Sequence, residues 1–175
     1  MKKLYANTLK NKAAIAVLML FATFYANAQT VTSGSALSTQ VNAAAPGAVF
    51  TIPNGTYNNF SSTFTANANA SNPITIKAEN VGGVILTGDS KFVFNQASHI
   101  ILEGFVFNCT SNNTLVKLNG SNNIRITRNV FDQVSTSSVK MVYIGGIYND
   151  YTFQFLSHDN RIDINIFQNE TTTGN

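Results

Sequence analysis

One seven-residue pattern recurs in this sequence and constrains the fold more than any other feature. Residues 125–131 (RITRNVF) and 161–167 (RIDINIF) share the form R-I-x-x-N-x-F, and residues 101–107 (ILEGFVF) can be aligned with both. The phenylalanines that end the three copies are 24 and 36 positions apart. Short apolar segments repeating with a period in the low twenties are typical of a parallel β-solenoid, in which each coil stacks on the preceding one.

The repeat predicts which side chains meet inside the coils. Asn129 and Asn165 fall at a turn, where asparagine tolerates the left-handed conformation and its amide can bond to the adjacent coil. Two sets of apolar side chains should stack in register at the normal strand spacing of about 4.8 Å. They are Leu102, Ile126 and Ile162, and Phe107, Phe131 and Phe167.

Two other repeat or sheet architectures fit the sequence less well. A leucine-rich repeat has a similar period, but its leucine-heavy consensus and recurring helix are missing here. An antiparallel sandwich would not require the same string to recur. The 12 additional residues in the second interval are placed at 148–156, an aromatic, turn-prone segment that predicts a loop leaving one coil.

Short strands are also predicted outside the repeat. Residues 73–107 contain four apolar bursts, each rich in β-branched or aromatic residues and broken by Gly, Asn, Asp or Ser. The bursts are 74–76, 84–86, 92–94 and 100–102. None is long enough for a helix, so the fold class is all-β.

One short helix is predicted before the first strands. Residues 35–45 begin with Ser35 as a possible N-cap, place Leu37 and Val41 on one face, and are ended by Pro46. Such a helix would cover the open end of a stacked sheet. A strand at 49–52, a turn at 53–55, a resumed strand at 56–57 and a polar loop at 58–72 follow.

Residues 1–28 are predicted to be a secretory signal peptide, followed by a single domain at 29–175. A lysine-bearing start precedes an apolar run, and Ala26-Asn27-Ala28 offers small residues for cleavage before Gln29. A retained membrane anchor is the alternative, although the run is short for a bilayer. We therefore expect a secreted or periplasmic bacterial protein that has no membrane association after cleavage.

The charge and the cysteine content exclude two further classes. Four of the 11 basic side chains lie in residues 1–28, which leaves 7 against 8 acidic ones, so nucleic acid is not an expected partner. Cys109 is the only cysteine, which rules out an intrachain disulfide. Its position after an apolar burst favours a buried, inert thiol over a nucleophile.

Several strings in the sequence resemble polysaccharide lyase family 6, which groups chondroitinase B with alginate lyases. The resemblance extends over about residues 35–170 and is carried by PNGTY at 53–57, PITIKA at 73–78, LTGD at 86–89, HIILEG at 99–104, NVFD at 129–132 and RID at 161–163. It implies a right-handed parallel β-helix with an N-terminal helical cap. It also implies a secreted enzyme that acts on acidic polysaccharide.

The chemistry implied by the resemblance is β-elimination. In the family a cation, usually calcium, neutralises the uronate carboxylate, a lysine removes the C5 proton and an arginine stabilises the developing charge. No position of this sequence matches those motifs, so no catalytic residue and no calcium ligand is assigned. The sequence resembles the N-terminal portion of a longer lyase, and this chain is expected to be inactive as it stands. A non-catalytic glycan-binding or structural solenoid is the alternative.

Three residues are candidates for contact with an acidic polysaccharide. Arg125 and Arg161 occupy equivalent repeat positions and should stack on one external face, where they could join Lys117 and Lys140 in binding a polyanion. A merely solvated face is the alternative. Tyr148, like the nearby Tyr143 and Tyr151, flanks the predicted loop and could stack on a sugar or pack against the solenoid.

Two other groups of polar residues are candidates for functional sites. His158, Asp159 and Asp163 could form a metal cluster, but a cross-coil ion pair between Asp163 and an arginine is the simpler interpretation. His99 is expected to be a hydrogen-bonded structural residue rather than a general base. Finally, an uncovered last coil would expose its apolar layer, which predicts aggregation or end-to-end pairing of this chain.

Overall fold

The computed structural model describes residues 31, 33–133, 140–149 and 152–168. Within these ranges one helix, α1 (Gly34–Asn42), precedes sixteen short strands. Four coils contribute three strands each and a fifth contributes two. The strands of the first three coils are β1 (Val49–Ile52), β2 (Gly55–Asn58), β3 (Ser61–Phe64), β4 (Ile74–Ala78), β5 (Val84–Thr87), β6 (Lys91–Asn95), β7 (Ile100–Glu103), β8 (Phe105–Cys109) and β9 (Val116–Asn119).

The remaining strands complete the solenoid and its one antiparallel insertion. They are β10 (Arg125–Thr127), β11 (Val130–Gln133), β12 (Val142–Gly145), β13 (Ile147–Asn149), β14 (Thr152–Phe155), β15 (Arg161–Asp163) and β16 (Ile166–Gln168). Three parallel sheets run along the stack: sheet A (β1-β4-β7-β10-β15), sheet B (β2-β5-β8-β11-β16) and sheet C (β3-β6-β9-β12). The predicted parallel β-solenoid is confirmed.

The register of the strands follows the sequence repeat. Ile126 pairs with Leu102 on one side and with Ile162 on the other. The ring of Phe131 stacks between Phe107 and Phe167, at 4.9 Å between centroids on each side and interplanar angles of 12° and 9°. Both predicted internal stacks are therefore confirmed, and they hold neighbouring coils in one register because a slip would expose them.

The turn asparagines bond to the preceding coil as expected. Asn129 accepts a hydrogen bond from the backbone N–H of Phe105 at 2.9 Å and donates one to the carbonyl of Leu102 at 3.1 Å. Asn165 makes the equivalent bonds to Asn129 N (2.9 Å) and Ile126 O (2.8 Å). Buried backbone groups at the corner are thereby satisfied.

The left-handed conformation predicted at Asn129 and Asn165 is wrong. The left-handed residue at this corner is the one before the asparagine, with φ of 56° at Arg128 and 57° at Ile164. Gly104 occupies the same position in the preceding coil, at φ 86°. The asparagines are placed there for their amides, because one side chain can satisfy both a donor and an acceptor on the neighbouring coil.

The helix lies where it was predicted, but with a different cap. Ser33, not Ser35, is the N-cap, and its hydroxyl accepts a hydrogen bond from the N–H of Ala36 at 3.2 Å. The helix ends at Asn42, before the expected residue 45. Leu37 and Val41 are both buried, which confirms the predicted apolar face.

Helix α1 covers the edge strand of sheet C. The Ser38 hydroxyl accepts from the N–H of Thr63 (2.9 Å), and Asn42 bonds both the carbonyl of Thr63 (3.0 Å) and the N–H of Thr65 (2.7 Å). Gly34 lies against Ser61 so closely that an added Cβ would be 2.2 Å from the Ser61 carbonyl oxygen. The helix thus provides hydrogen-bond partners for backbone groups of β3 that would otherwise be unpaired at the edge of the sheet.

The segment predicted as a polar loop contains a strand. Residues 58–72 include β3, whose Ser62 and Phe64 point inward and are buried. The serines and threonines of this strand gave no apolar alternation, so pairing with β6 rather than intrinsic propensity decides its conformation.

The additional residues of the second repeat interval form mainly a β-hairpin. The connection from β12 to β15 spans residues 145–161, ten residues longer than the equivalent connection from β9 to β10 at 119–125. Strands β13 and β14 pair in antiparallel fashion within it. The predicted site of the insertion is confirmed.

Among the described residues no helix is long and apolar enough to cross a membrane. The predicted signal peptide at 1–28 lies outside the described residues, so the secretion and domain-boundary predictions stay predictions. The right-handed winding implied by the family resemblance is likewise a prediction.

Candidate functional site

The outer face of sheet A brings the two predicted arginines together. Arg125 and Arg161 are paired residues of β10 and β15, so their side chains leave the sheet side by side. Arg125 binds Asp163 with two hydrogen bonds, from Nε at 3.1 Å and from Nη2 at 3.0 Å. The Nη2 atom of Arg161 lies 2.8 Å from the same carboxylate. The predicted cross-coil ion pair is confirmed.

Two guanidinium groups therefore share one carboxylate. Hydrogen bonding from Arg125 holds the pKa of Asp163 below its usual range, and the same bond raises the pKa of Arg125. Two guanidinium groups and one carboxylate leave a formal surplus of one positive charge. Arg161 is the more accessible partner, with 69% of its side chain exposed against 39% for Arg125.

A shallow groove of about 250 Å³ runs beside this ion pair, across the amino-terminal ends of the sheet A strands. Its lining combines the apolar side chains of Pro73 and Ile101 with the guanidinium groups of Arg125 and Arg161. Apolar linings with a few charged groups are common in ligand sites, because the charges orient the ligand and the apolar surface excludes water.

Three residues that line the groove are left-handed turn residues, and the sequence analysis did not predict that they form one row. His99, Asn123 and Asp159 line the groove and have φ of 55°, 54° and 52°. A signal for them existed, because they are 24 and 36 positions apart, the intervals of the phenylalanine repeat. The backbone of His99 accepts from Ile74 N (3.0 Å) and donates to Asn122 O (3.2 Å). Any residue could make these bonds, so the structural role predicted for the His99 side chain stays a prediction.

The other cationic and aromatic candidates lie on different surfaces. Lys117 and Tyr143 are paired residues on the outer face of sheet C, and Lys140 lies close to the same tyrosine. Tyr148 is on β13 of the hairpin, 57% exposed, and is not among the residues that line the groove. The prediction that these lysines and the two arginines form one polyanion-binding surface is therefore wrong, because Lys117 lies on sheet C and the arginines lie on sheet A.

Among the described residues no three His, Cys, Asp or Glu side chains come close enough to hold a metal ion. His158 Nδ1 lies 2.8 Å from Asp159, Glu103 lies 2.7 Å from Arg128, and Asp163 is shared by its two arginines. Calcium needs six to eight converging oxygen ligands. These residues do not fit the calcium site that the family resemblance implies, and no catalytic step is derived through it.

Cys109 is fully buried, as predicted. Its Sγ lies 3.5 Å from the carbonyl oxygen of Leu86 and 3.6 Å from that of Ser90. Burial, aided by the nearby charge of Asp89, raises the pKa of the thiol to about 11. A thiol that is neutral at physiological pH is a poor nucleophile.

Comparison with known proteins identifies the family. A sequence model described as Chondroitinase B matches residues 31–175, which is most of the chain. The chain belongs to the chondroitinase B family. No individually curated protein matches it.

Solved structures with the same fold carry related names. A variant of the polysaccharide lyase family 6 alginate lyase AlyGC is similar over 79% of this chain, with 23% identity and a TM-score of 0.62. A mannuronic acid specific family 6 lyase from human gut microbiota is similar over 74%, with 21% identity and a TM-score of 0.58. This member of the chondroitinase B family spans 19% and 30% of the lengths of those two structures.

Proposed function

We propose that this chain forms the N-terminal part of a secreted polysaccharide lyase that cleaves uronate-containing polysaccharide by β-elimination. The family match over residues 31–175 is the observation that carries the proposal. Alginate and chondroitin or dermatan sulfate are the proposed substrates, since solved relatives are named as alginate lyases and the family is named for chondroitinase. In β-elimination the main obstacle is the low acidity of the proton beside the carboxylate, so a cation and a base must act together.

The described coils would hold substrate rather than transform it. The groove on sheet A offers Arg161, whose exposed guanidinium keeps donors beyond the one directed at Asp163, for a uronate carboxylate. Arg125 would orient Arg161 through their common carboxylate. Tyr148, exposed on the neighbouring hairpin, is proposed to contact a more distant sugar.

The proton-abstracting lysine, its partner arginine and the calcium ligands are proposed to lie on further coils of a longer polypeptide. If the coding sequence continues beyond codon 175, we expect coils that carry a neighbouring lysine and arginine together with several acidic residues. Their presence would support the lyase, and a continuation without them would contradict it.

The activity itself is tested with alginate and with chondroitin sulfate as separate substrates. We expect absorbance from unsaturated ends to rise with the protein encoded by the continued reading frame and not with the 175-residue chain. Product from the 175-residue chain alone would show that catalytic groups are present within it. No product from the longer protein on either polymer would remove the enzymatic proposal.

A non-catalytic glycan-binding or structural solenoid is the second candidate. It is favoured by one observation: within the described residues both groove arginines are ion-paired with Asp163, and no lysine lines the groove beside them. Binding of acidic polysaccharide without product from the longer protein would support this candidate over the lyase.

Secretion and self-association complete the proposal. The predicted signal peptide at 1–28 would direct the chain out of the cytoplasm, which detection of the mature protein beginning at Gln29 outside the cell or in the periplasm would test. The last described coil is proposed to pair with a second copy, because its inward-type residues Ile162 and Phe167 are 37% and 50% exposed.

A further inference from the structure

Two lysines converge on one tyrosine ring on the outer face of sheet C. The Nζ atom of Lys140 lies 4.8 Å from the centroid of Tyr143, and that of Lys117 lies 5.6 Å from it. Lys117 is the register partner of Tyr143 across β9 and β12, so sheet pairing fixes two of the three side chains relative to each other.

The position of the ring is built by a glycine. A Cβ added at Gly145 would lie 2.5 to 2.6 Å from the Cε1, Cζ and hydroxyl oxygen of Tyr143. The ring therefore lies along the strand, in the space that a side chain at position 145 would fill. Gly145 does not have a left-handed φ, so backbone conformation does not demand glycine at this position. The absence of a side chain here allows the ring to receive both lysines.

The charges of this cluster are not balanced within the described part of the chain. The carboxylates whose ion pairs the structure shows (Glu103, Asp159 and Asp163) are all engaged by Arg125, Arg128, Arg161 or His158. Neither Lys117 nor Lys140 forms an ion pair with a described residue. Attraction to the ring offsets part of the cost of placing two ammonium groups around it, and an anion bound beside them would offset more, because it is attracted to both charges.

We infer that Lys117, Lys140 and Tyr143 form a second anion-binding site, which takes a carboxylate or sulfate group of an acidic polysaccharide. The polysaccharide as ligand rests on the proposed function, whereas the anion chemistry rests on the cluster itself. The site lies on sheet C, and the groove with Arg161 lies on sheet A, so the two contact the polymer at different faces of the solenoid. A site of this kind holds the chain of a polymer without taking part in its cleavage.

The test measures the affinity of the 175-residue chain for two sets of oligosaccharides, oligo-uronates and chondroitin sulfate fragments, by calorimetry at low salt. Lys117→Gln and Lys140→Gln should each weaken binding about fivefold, the factor that corresponds to about 1 kcal/mol. Gly145→Ala should weaken it similarly without removing a charge, because it displaces the ring. Lys91→Gln, at a half-buried position of β6 in the same sheet, is the matched control and should change affinity less than about twofold, since a single surface charge outside the cluster contributes little.

Each possible result either supports or overturns the anion-binding site. Loss with both lysine variants and with Gly145→Ala, but not with Lys91→Gln, supports it, and the better of the two ligand sets identifies carboxylate or sulfate as the preferred anion. Equal losses in Lys91→Gln and Lys117→Gln would overturn it, because they indicate unspecific attraction. Binding lost in Arg161→Gln but kept in the lysine variants would also overturn it and leave the lyase proposal intact. A wild-type chain that binds neither set overturns the site as well, whereas the lyase proposal is decided separately by product formation.

Discussion

At the scale of single residues, the turn asparagines contribute more to this fold than their polarity suggests. Asn129 is 1% exposed and bonds to the backbone of the preceding coil at Phe105 and Leu102. Its own N–H is bonded by Asn165 from the following coil. Each amide therefore joins two coils at a corner where no strand ladder does so.

Asn129→Ala should lower the free energy of unfolding by about 3 kcal/mol. The reason is that one buried donor and one buried acceptor lose their partners, at about 1–3 kcal/mol each. Urea unfolding followed by circular dichroism measures the change. Asn58→Ala, at an exposed position of β2, is the control and should stay within about 0.5 kcal/mol of wild type. A change equally small at Asn129 would contradict the proposed role of the amide.

Cys109 should be unreactive in the folded chain. Because burial raises its pKa to about 11, almost no thiolate forms at pH 8. Iodoacetamide at pH 8 should leave the native protein unmodified by mass spectrometry and modify it rapidly in urea. Fast alkylation without denaturant would show that the third coil opens easily.

At the scale of elements, the ion pair on sheet A joins the strands β10 and β15. The pKa of Asp163 is lower in the folded chain than its unfolded value of about 3.9, so its contribution to stability is present above that value. It is lost as the pH falls through the lower, folded pKa. Below both values the carboxylate is neutral in the folded and in the unfolded chain.

Melting temperatures measured across acidic and neutral pH test this contribution. Asp163→Asn should melt below wild type at neutral pH, where two adjacent guanidiniums lose their counterion, and the two curves should converge in acid. Asp159→Asn removes an exposed carboxylate that pairs only with His158 in the described structure and should keep the acid-side loss of wild type. Parallel curves for wild type and Asp163→Asn would contradict the assignment.

At the scale of the whole molecule, the last described coil differs from those before it. Ile126 and Phe131 are fully buried, whereas their register partners Ile162 and Phe167 are 37% and 50% exposed. Among the described strands, β15 and β16 are the outermost of their sheets. Exposed apolar positions at such an edge favour association.

The 175-residue chain is therefore expected to self-associate, and Phe167→Ser should shift it towards the monomer. Size-exclusion chromatography with light scattering measures the mass. Ile164→Ser, which changes an exposed corner residue outside the internal stacks, is the control and should leave the association unchanged. A monodisperse wild-type monomer would count against end-to-end pairing.

The sequence by itself determined the solenoid, because one coil must repeat the inward residues of the next if the coils are to stack. The intervals of 24 and 36 residues predicted the pairing of Ile126 with Leu102 and Ile162, the phenylalanine stack and the place of the insertion. The candidate arginines Arg125 and Arg161 followed from the same repeat, as did their common outer face.

Only the tertiary structure decided what those positions meet across the sheets. Strand β3 was not predicted, because its serines and threonines show no strand pattern. Pairing with β6 and hydrogen bonds from α1 stabilise its extended conformation. The separation of Lys117 from Arg161 depends on which sheet each strand joins, which spacing along one chain does not encode. Lys117 meets Tyr143 only because β12 lies beside β9, whereas the space for the ring is left by Gly145 on the same strand.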